Sequence, residues 1–210
     1  MAGEYQTIGA EGRGEYTEKK SRFLGRAVPV SSEEEVQACI EAVRKQYYDA
    51  RHHCYAYVIG ENREKTRAAD DGEPSGTAGM PILRVIEGAG LTNILIVVTR
   101  YFGGTLLGTG GLVRSYTNAA ARALEDAPRV RMCLCTRLSI GISYSRLDRV
   151  LYFLQQEGIE PDSADYTDKV TLTITAESFR IGQIREKLVS LTGADILLEE
   201  LGEDFYPLRI

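Results

Sequence analysis

The sequence predicts an α+β protein of two domains, and three observations lead there. At 210 residues the chain is long for one domain and short for two large ones, so two units of unequal size fit best. Residues 136–210 follow a regular order of strand, helix, two strands, helix and strand, whereas residues 1–135 mix strands and helices without that order. The net charge divides at the same place: residues 1–135 hold 17 Lys+Arg and 17 Asp+Glu, residues 136–210 hold 8 and 13, so the whole −5 lies in the second part. The predicted domains are therefore 1–135 and 136–210. No Pro/Gly-rich linker separates them, because RVRMCLCTRLSIGIS passes from one strand pattern into the next.

Taken in order, EYTEKK and SRFLGRAVPV read as short strands, the second bounded by Gly25 and Pro29. SSEEEVQACIEAVRKQYYDA is a helix: Ser32 with Glu35 forms a capping box, acids fill the first turn, and Val36, Ile40, Val43 and Tyr47 recur at helical spacing. CYAYVIG, ILRVI and NILIVVT are expected as strands, the last buried on both faces because its apolar run is continuous. LVRSYTNAAARALEDA is a helix stopped by Pro128, and RVRMCLC alternates as a strand. In the second part LSIGIS is a strand, YSRLDRVLYFLQQEG a helix closed by Gly158, and IEPDSADYTD and VTLTITA are strands. SFRIGQIREKLVSLTG is then a helix with Ser178 as N-cap and Gly193 as its stop, and DILLEEL is the last strand. This βαββαβ order is that of a ferredoxin-like domain.

Composition removes several classes of function. With 43% hydrophobic and 26% charged residues, the chain is that of an ordered globular protein. The N-terminus has no apolar stretch behind a basic segment, and Ile94 to Val98 is far too short to cross a bilayer, so a cytoplasmic protein without membrane contact is expected. Cys39, Cys54, Cys133 and Cys135 form no CxxC pair and read as reduced thiols. The acidic second part is a poor partner for phosphate backbones.

Two loops and one dipeptide carry the polar chemistry. Ten of the 21 glycines fall between Gly72 and Gly111. The stretch TRYFGGTLLGTGGLVRS, holding Arg100, Tyr101, Gly103, Gly104, Gly108, Gly110, Gly111 and Arg114, lies between a buried strand and a helix N-terminus, where free N–H groups favour an anion. The nucleotide fingerprints fail there: Thr109 and Gly110 stand where a P-loop needs Lys and Ser/Thr, and Val113 stands where GxGxxG needs glycine. Either a phosphate contact or a close-packed turn fits. DDGEPSGTAGMP brings Asp70, Asp71 and Glu73 together with Ser75 and Thr77. Three carboxylates suit a hard cation, but the EF-hand spacing is missing, and ordinary turn hydrogen bonding explains the same residues. His52 and Cys54 share one face of a strand and His53 takes the other, with no third ligand at zinc spacing. No GxSxG elbow exists, so no catalytic residue, metal or cofactor is assigned.

KKSRFLG (Lys19 to Gly25), HHCYAYVIG (His52 to Gly60), DDGEPSGTAGMPIL (Asp70 to Leu83) and NILIVVTRYFGGTLLGTGGLVRSYTNAA (Asn93 to Ala120) together closely resemble the IMPACT family, in its bacterial YigZ-like branch. The resemblance spans roughly residues 15–125. His53 departs from it, standing where the family usually has Asn. The resemblance implies a first domain of the fold shared by the second domain of a small-subunit ribosomal protein and the fourth domain of elongation factor G. It implies a second domain like that factor's last one. Eukaryotic relatives restrain a starvation-sensing kinase of translation initiation by binding its ribosome-associated activator. This sequence starts directly at the shared domain, so their mechanism does not carry over as it stands.

The expected function is that of a translation-linked regulatory binding protein, contacting RNA, the ribosome or a ribosome-associated factor through the loops of the first domain. The alternative is a metal-dependent hydrolase or phosphoryl-transfer enzyme that uses Asp70, Asp71 and Glu73 with His52.

Overall fold

The computed structural model describes residues 3–193 and 195–208. The chain divides into two compact units, residues 4–131 with Leu208, and residues 132–207 with Gly3.

The first unit contains β1 (Glu4–Ile8), β2 (Gly12–Glu18), β3 (Ser21–Pro29), α1 (Glu33–Gln46), β4 (His52–Ile59), β5 (Lys65–Ala69), α2 (Gly79–Gly88), β6 (Ile94–Tyr101) and α3 (Gly108–Asp126). Its five-stranded sheet runs β2-β3-β6-β4-β5, and each neighbouring pair is antiparallel. One face packs against α2 and α3 through Phe23, Cys54, Ala56, Ile96, Val98, Ile82, Ile86 and Tyr116. The other packs against α1 through Tyr55, Tyr57, Leu95, Val97, Val36, Ile40 and Val43. Central β6 is thus buried on both sides, as its unbroken apolar run requires. Fully burying a side chain such as Ile82 or Ile86 stabilises by about 1.5–3 kcal/mol.

Helix α1 begins as its sequence directs: Ser32 Oγ accepts from the Glu35 N–H at 3.2 Å. The Glu35 carboxylate reaches back one residue further than the simple box, accepting from the Ser31 N–H at 2.7 Å. Helix α3 lies tight against β2 and β3. A Cβ on Gly12, Gly14 or Gly25 would collide with the backbone of Ala119 or Ala123, so these positions admit only hydrogen.

The expected strand ILRVI is instead the body of α2. A short apolar run is ambiguous by periodicity alone, and here Ile82 and Ile86, four residues apart, face the core together. Pro81 sits in the first turn, where its missing N–H costs nothing. Strand β5, exposed and rich in Lys and Arg, lacks apolar alternation and was invisible in the pattern.

β7 (Arg129–Ile142) is one continuous strand where the sequence reads as two. The second unit continues with α4 (Tyr144–Gln156), β8 (Ser163–Tyr166), β9 (Val170–Glu177), α5 (Ser178–Thr192) and β10 (Ile196–Leu208). β7 pairs with β9 and with β10, and β9 pairs with β8, the ferredoxin-like arrangement that the βαββαβ order predicts. Leu138, Ile140, Leu172 and Ile174 turn to α4 and α5. Gly193 stops α5 in the left-handed conformation, φ 64°, as expected. Ser178 is not the N-cap: Glu177 holds that place, and the Ser178 hydroxyl is 2.7 Å from Thr136 Oγ1 on β7.

Candidate functional site

Strand register sets the site. Phe23 on β3, Arg100 on β6 and His52 on β4 are direct cross-strand neighbours, so all three project from the face that carries α2 and α3. The next row, Leu24, Thr99 and His53, projects to the α1 face, where His53 Nδ1 lies 3.1 Å from Thr99 Oγ1. Burial holds the His53 imidazole below its ordinary pKa. The two histidines therefore never share a site. Tyr101 also belongs to the far face; its hydroxyl donates to Asp49 Oδ1 at 2.7 Å, a bond that helps push its pKa up to about 12.

The acidic loop is organised from within. Asp70 Oδ2 accepts from the Gly76 N–H (2.8 Å), and Oδ1 accepts from Ala78 (3.0 Å) and Gly79 (2.8 Å), so this one carboxylate caps α2. Burial acts to raise the Asp70 pKa, but the three N–H donors outweigh it and hold the carboxyl below the usual range. Asp71, held at φ 42°, accepts from Arg44 on α1 (2.8 Å) and from the His53 N–H (2.7 Å). Glu73 is buried and receives both Arg100 Nη1 (2.6 Å) and the Tyr116 hydroxyl (2.7 Å). The three carboxylates point to three separate partner sets. Among the described residues no group of three His, Cys, Asp or Glu could hold a metal ion. Thr77 Oγ1 closes the turn on Pro74 C=O at 2.6 Å, and Ser75 stands exposed at its edge.

Cys54 lies under this loop, its sulfur 2.9 Å from Asp70 C=O and 3.3 Å from the Tyr116 hydroxyl. Burial pushes its thiol, and the Tyr116 phenol, well above their ordinary values. A thiol so held is not a nucleophile.

The glycine loop is the opposite. Gly103 is fixed by packing: its N–H donates to Ser21 Oγ at 3.0 Å, and a Cβ there would strike the Lys20–Ser21 backbone. Gly104 and Gly108 take positive φ (85° and 71°), and they and Gly110 face open space. Helix α3 starts earlier than the sequence suggested, at Gly108, so Gly108, Gly110 and Gly111 form its first turn. No side chain caps that turn and no acid lies in it.

Between the two loops opens a cleft of about 390 Å³. Arg51, His52 and Arg100 line it, with Glu73 and Pro74 from the acidic loop. Phe102, Leu106, Leu107, Gly108, Thr109 and Leu112 complete it. His52 Nδ1 lies 2.9 Å from Asp71 C=O; a carbonyl only accepts, so Nδ1 carries the proton and Nε2 is left for the cleft. Arg100 is 6% exposed, ion-paired to Glu73, and held between the rings of Phe23 (5.4 Å) and Phe102 (5.6 Å). It therefore cannot be the surface arginine that its sequence position suggested. Arg114 is exposed on α3 and does not line the cleft, so the two arginines that bracket the loop in sequence do not converge. The cation at the rim is Arg51, which no carboxylate among the described residues pairs with. Sequence reasoning missed Arg51 and Phe102. Phe102, an aromatic residue directly before the paired Gly103 and Gly104, is the signal the sequence offers.

The Impact N-terminal domain family model matches residues 19–124, and a domain of unknown function (DUF1949) matches residues 140–194. IMPACT family member YvyE of Bacillus subtilis is 35% identical over 200 residues, covering 95% of this chain and 92% of that protein. IMPACT family member YigZ of Escherichia coli is 34% identical, covering 88% and 92%. Protein IMPACT of Homo sapiens is 32% identical over 97 residues, 44% of this chain and 30% of its own length. A solved structure, described only as the crystal structure of an hypothetical protein, superposes with TM-score 0.64 at 32% identity, covering 97% of this chain and all of that one.

Proposed function

The chain belongs to the IMPACT family, and from that premise we propose that it is a cytoplasmic, translation-linked binding protein that contacts RNA through the cleft of its first unit. The observation that carries this reading is the start of α3. Its uncapped N–H groups open, free of acidic side chains, beside the unpaired Arg51. That is the electrostatic requirement for a phosphate. The acidic loop does not oppose it, because Asp70, Asp71 and Glu73 are each neutralised by N–H donors or an arginine. Lys19 and Lys20, both at positive φ, form the turn that Gly103 packs on, which adds positive charge on the same side of the glycine loop. The metal-hydrolase alternative gains no support: its three carboxylates diverge. No helix among the described residues is long and apolar enough to cross a membrane.

The test is binding to ribosomes and to structured RNA at about 50 mM and 200 mM salt, where a contact through several phosphates weakens steeply. Wild type should bind and show that dependence, and Arg51→Ala should weaken binding and flatten it. Equal binding by wild type and variant at both salts would remove the reading.

A further inference from the structure

Resting on that reading, we propose that the cleft takes a single unpaired nucleotide, its base stacked on Phe102 and its phosphate seated on the first turn of α3. The cleft's chemistry is divided in the way a nucleotide is divided. Its walls are largely apolar, formed by Pro74, Leu106, Leu107 and Leu112, while donors gather at one end. Its volume of about 390 Å³ lies in the range of small-molecule sites and admits one nucleotide rather than a duplex.

The stacking platform is prepared in advance. The Arg100 guanidinium underlies the Phe102 ring at 5.6 Å, and Arg100 is itself fixed by Glu73 and by Phe23 beneath it. Phe102 is still 54% exposed, so the ring is supported on one side and open on the other. A base in a duplex has both faces covered and cannot use such a platform; an unpaired base can.

One polar group on the cleft wall remains for the base edge: His52 Nε2, since Nδ1 is committed to Asp71. At the other end Gly108 and Gly110 leave space where any larger side chain would shield the helix N–H groups from a phosphate.

A 2-aminopurine base placed in a single-stranded oligoribonucleotide, in the same strand annealed as a duplex, and in a free mononucleotide gives the readout. Wild type should quench the single strand's fluorescence and bind it at least tenfold tighter than the duplex, since stacking contributes about 1–3 kcal/mol per base, and tighter than the mononucleotide, which lacks the flanking phosphates that Arg51 and Lys20 would meet. Phe102→Leu, which keeps an apolar side chain, should lose the quenching and that preference while keeping the salt dependence. Gly110→Glu places a carboxylate in a first turn that is sterically open. It should hold or raise the melting temperature and still lose single-strand binding more than tenfold. Equal affinity for single strand and duplex, unchanged in Phe102→Leu, overturns the nucleotide site and leaves the RNA reading standing. A mononucleotide bound as tightly as the oligonucleotide overturns the assignment to RNA. Absence of binding to every RNA form overturns both.

Discussion

The acidic loop of residues 70–77 and the glycine loop of residues 102–111 border the same cleft but are held in opposite ways. In the first, each carboxylate is consumed internally: Asp70 by α2, Asp71 by Arg44 and β4, Glu73 by Arg100 and Tyr116. In the second, Gly103 is fixed by packing and Leu107 leans on the core, while Phe102, Gly104, Leu106, Gly108 and Gly110 are open, with Leu106 84% exposed. One loop is framework and the other is surface. A cluster of charge in a sequence thus marks architecture here, while its near-chargeless neighbour is left as open surface.

That contrast can be broken most forcefully at Glu73. Glu73→Ala leaves the Arg100 guanidinium buried without its counter-ion and should cost about 3–5 kcal/mol in chemical denaturation. A loss within the range of surface substitutions would show that the pair is not structural.

At Asp70 the effect is smaller and depends on pH. Asp70→Asn weakens three N–H bonds at the start of α2 and should cost about 1–2 kcal/mol at neutral pH. Because the folded carboxyl titrates below its unfolded value near 3.9, its stabilisation is complete above about pH 4 and is lost as pH falls through the folded value. The gap between wild type and Asp70→Asn should therefore close in acid; a gap that stays constant from pH 7 to pH 2 refutes the cap.

The smallest effect is expected in the open loop. Gly110→Ala adds a methyl group to a helical position with free space around it, and should stabilise by about 0.4–1 kcal/mol in thermal melts. A clear loss of stability there would show that the glycine turn is framework after all.

The sequence made most of the frame legible because the frame follows local rules: the Ser32 cap, the Gly193 stop, the burial of Ile94 to Val98, and the βαββαβ order. It failed where a distant partner decides. Ile82 to Ile86 reads equally well as strand or helix until Asp70, eight and nine residues back from Ala78 and Gly79 in hydrogen-bond terms, supplies the cap that starts α2. The two loops singled out in the sequence border one cleft, but of their two arginines Arg100 is buried and Arg114 lies outside it. Arg100 is exposed or buried according to whether Glu73 lies opposite, and their separation of 27 residues carries no signature. Arg51 lines the cleft from the residue just before β4, outside the strand's alternation, so no strand pattern points to it.

The close seat of α3 on Gly12, Gly14 and Gly25 has a kinetic consequence. With Ala119 and Ala123 pressed on bare backbone, the helix has little room to slide or roll, and its first turn is delivered to the cleft as a fixed point. A site that does not rearrange adds no slow step of its own to association. On the proposed RNA reading, the rate of capture is governed by how often the RNA exposes an unpaired nucleotide, so the RNA's own folding, rather than any motion of this protein, limits the encounter.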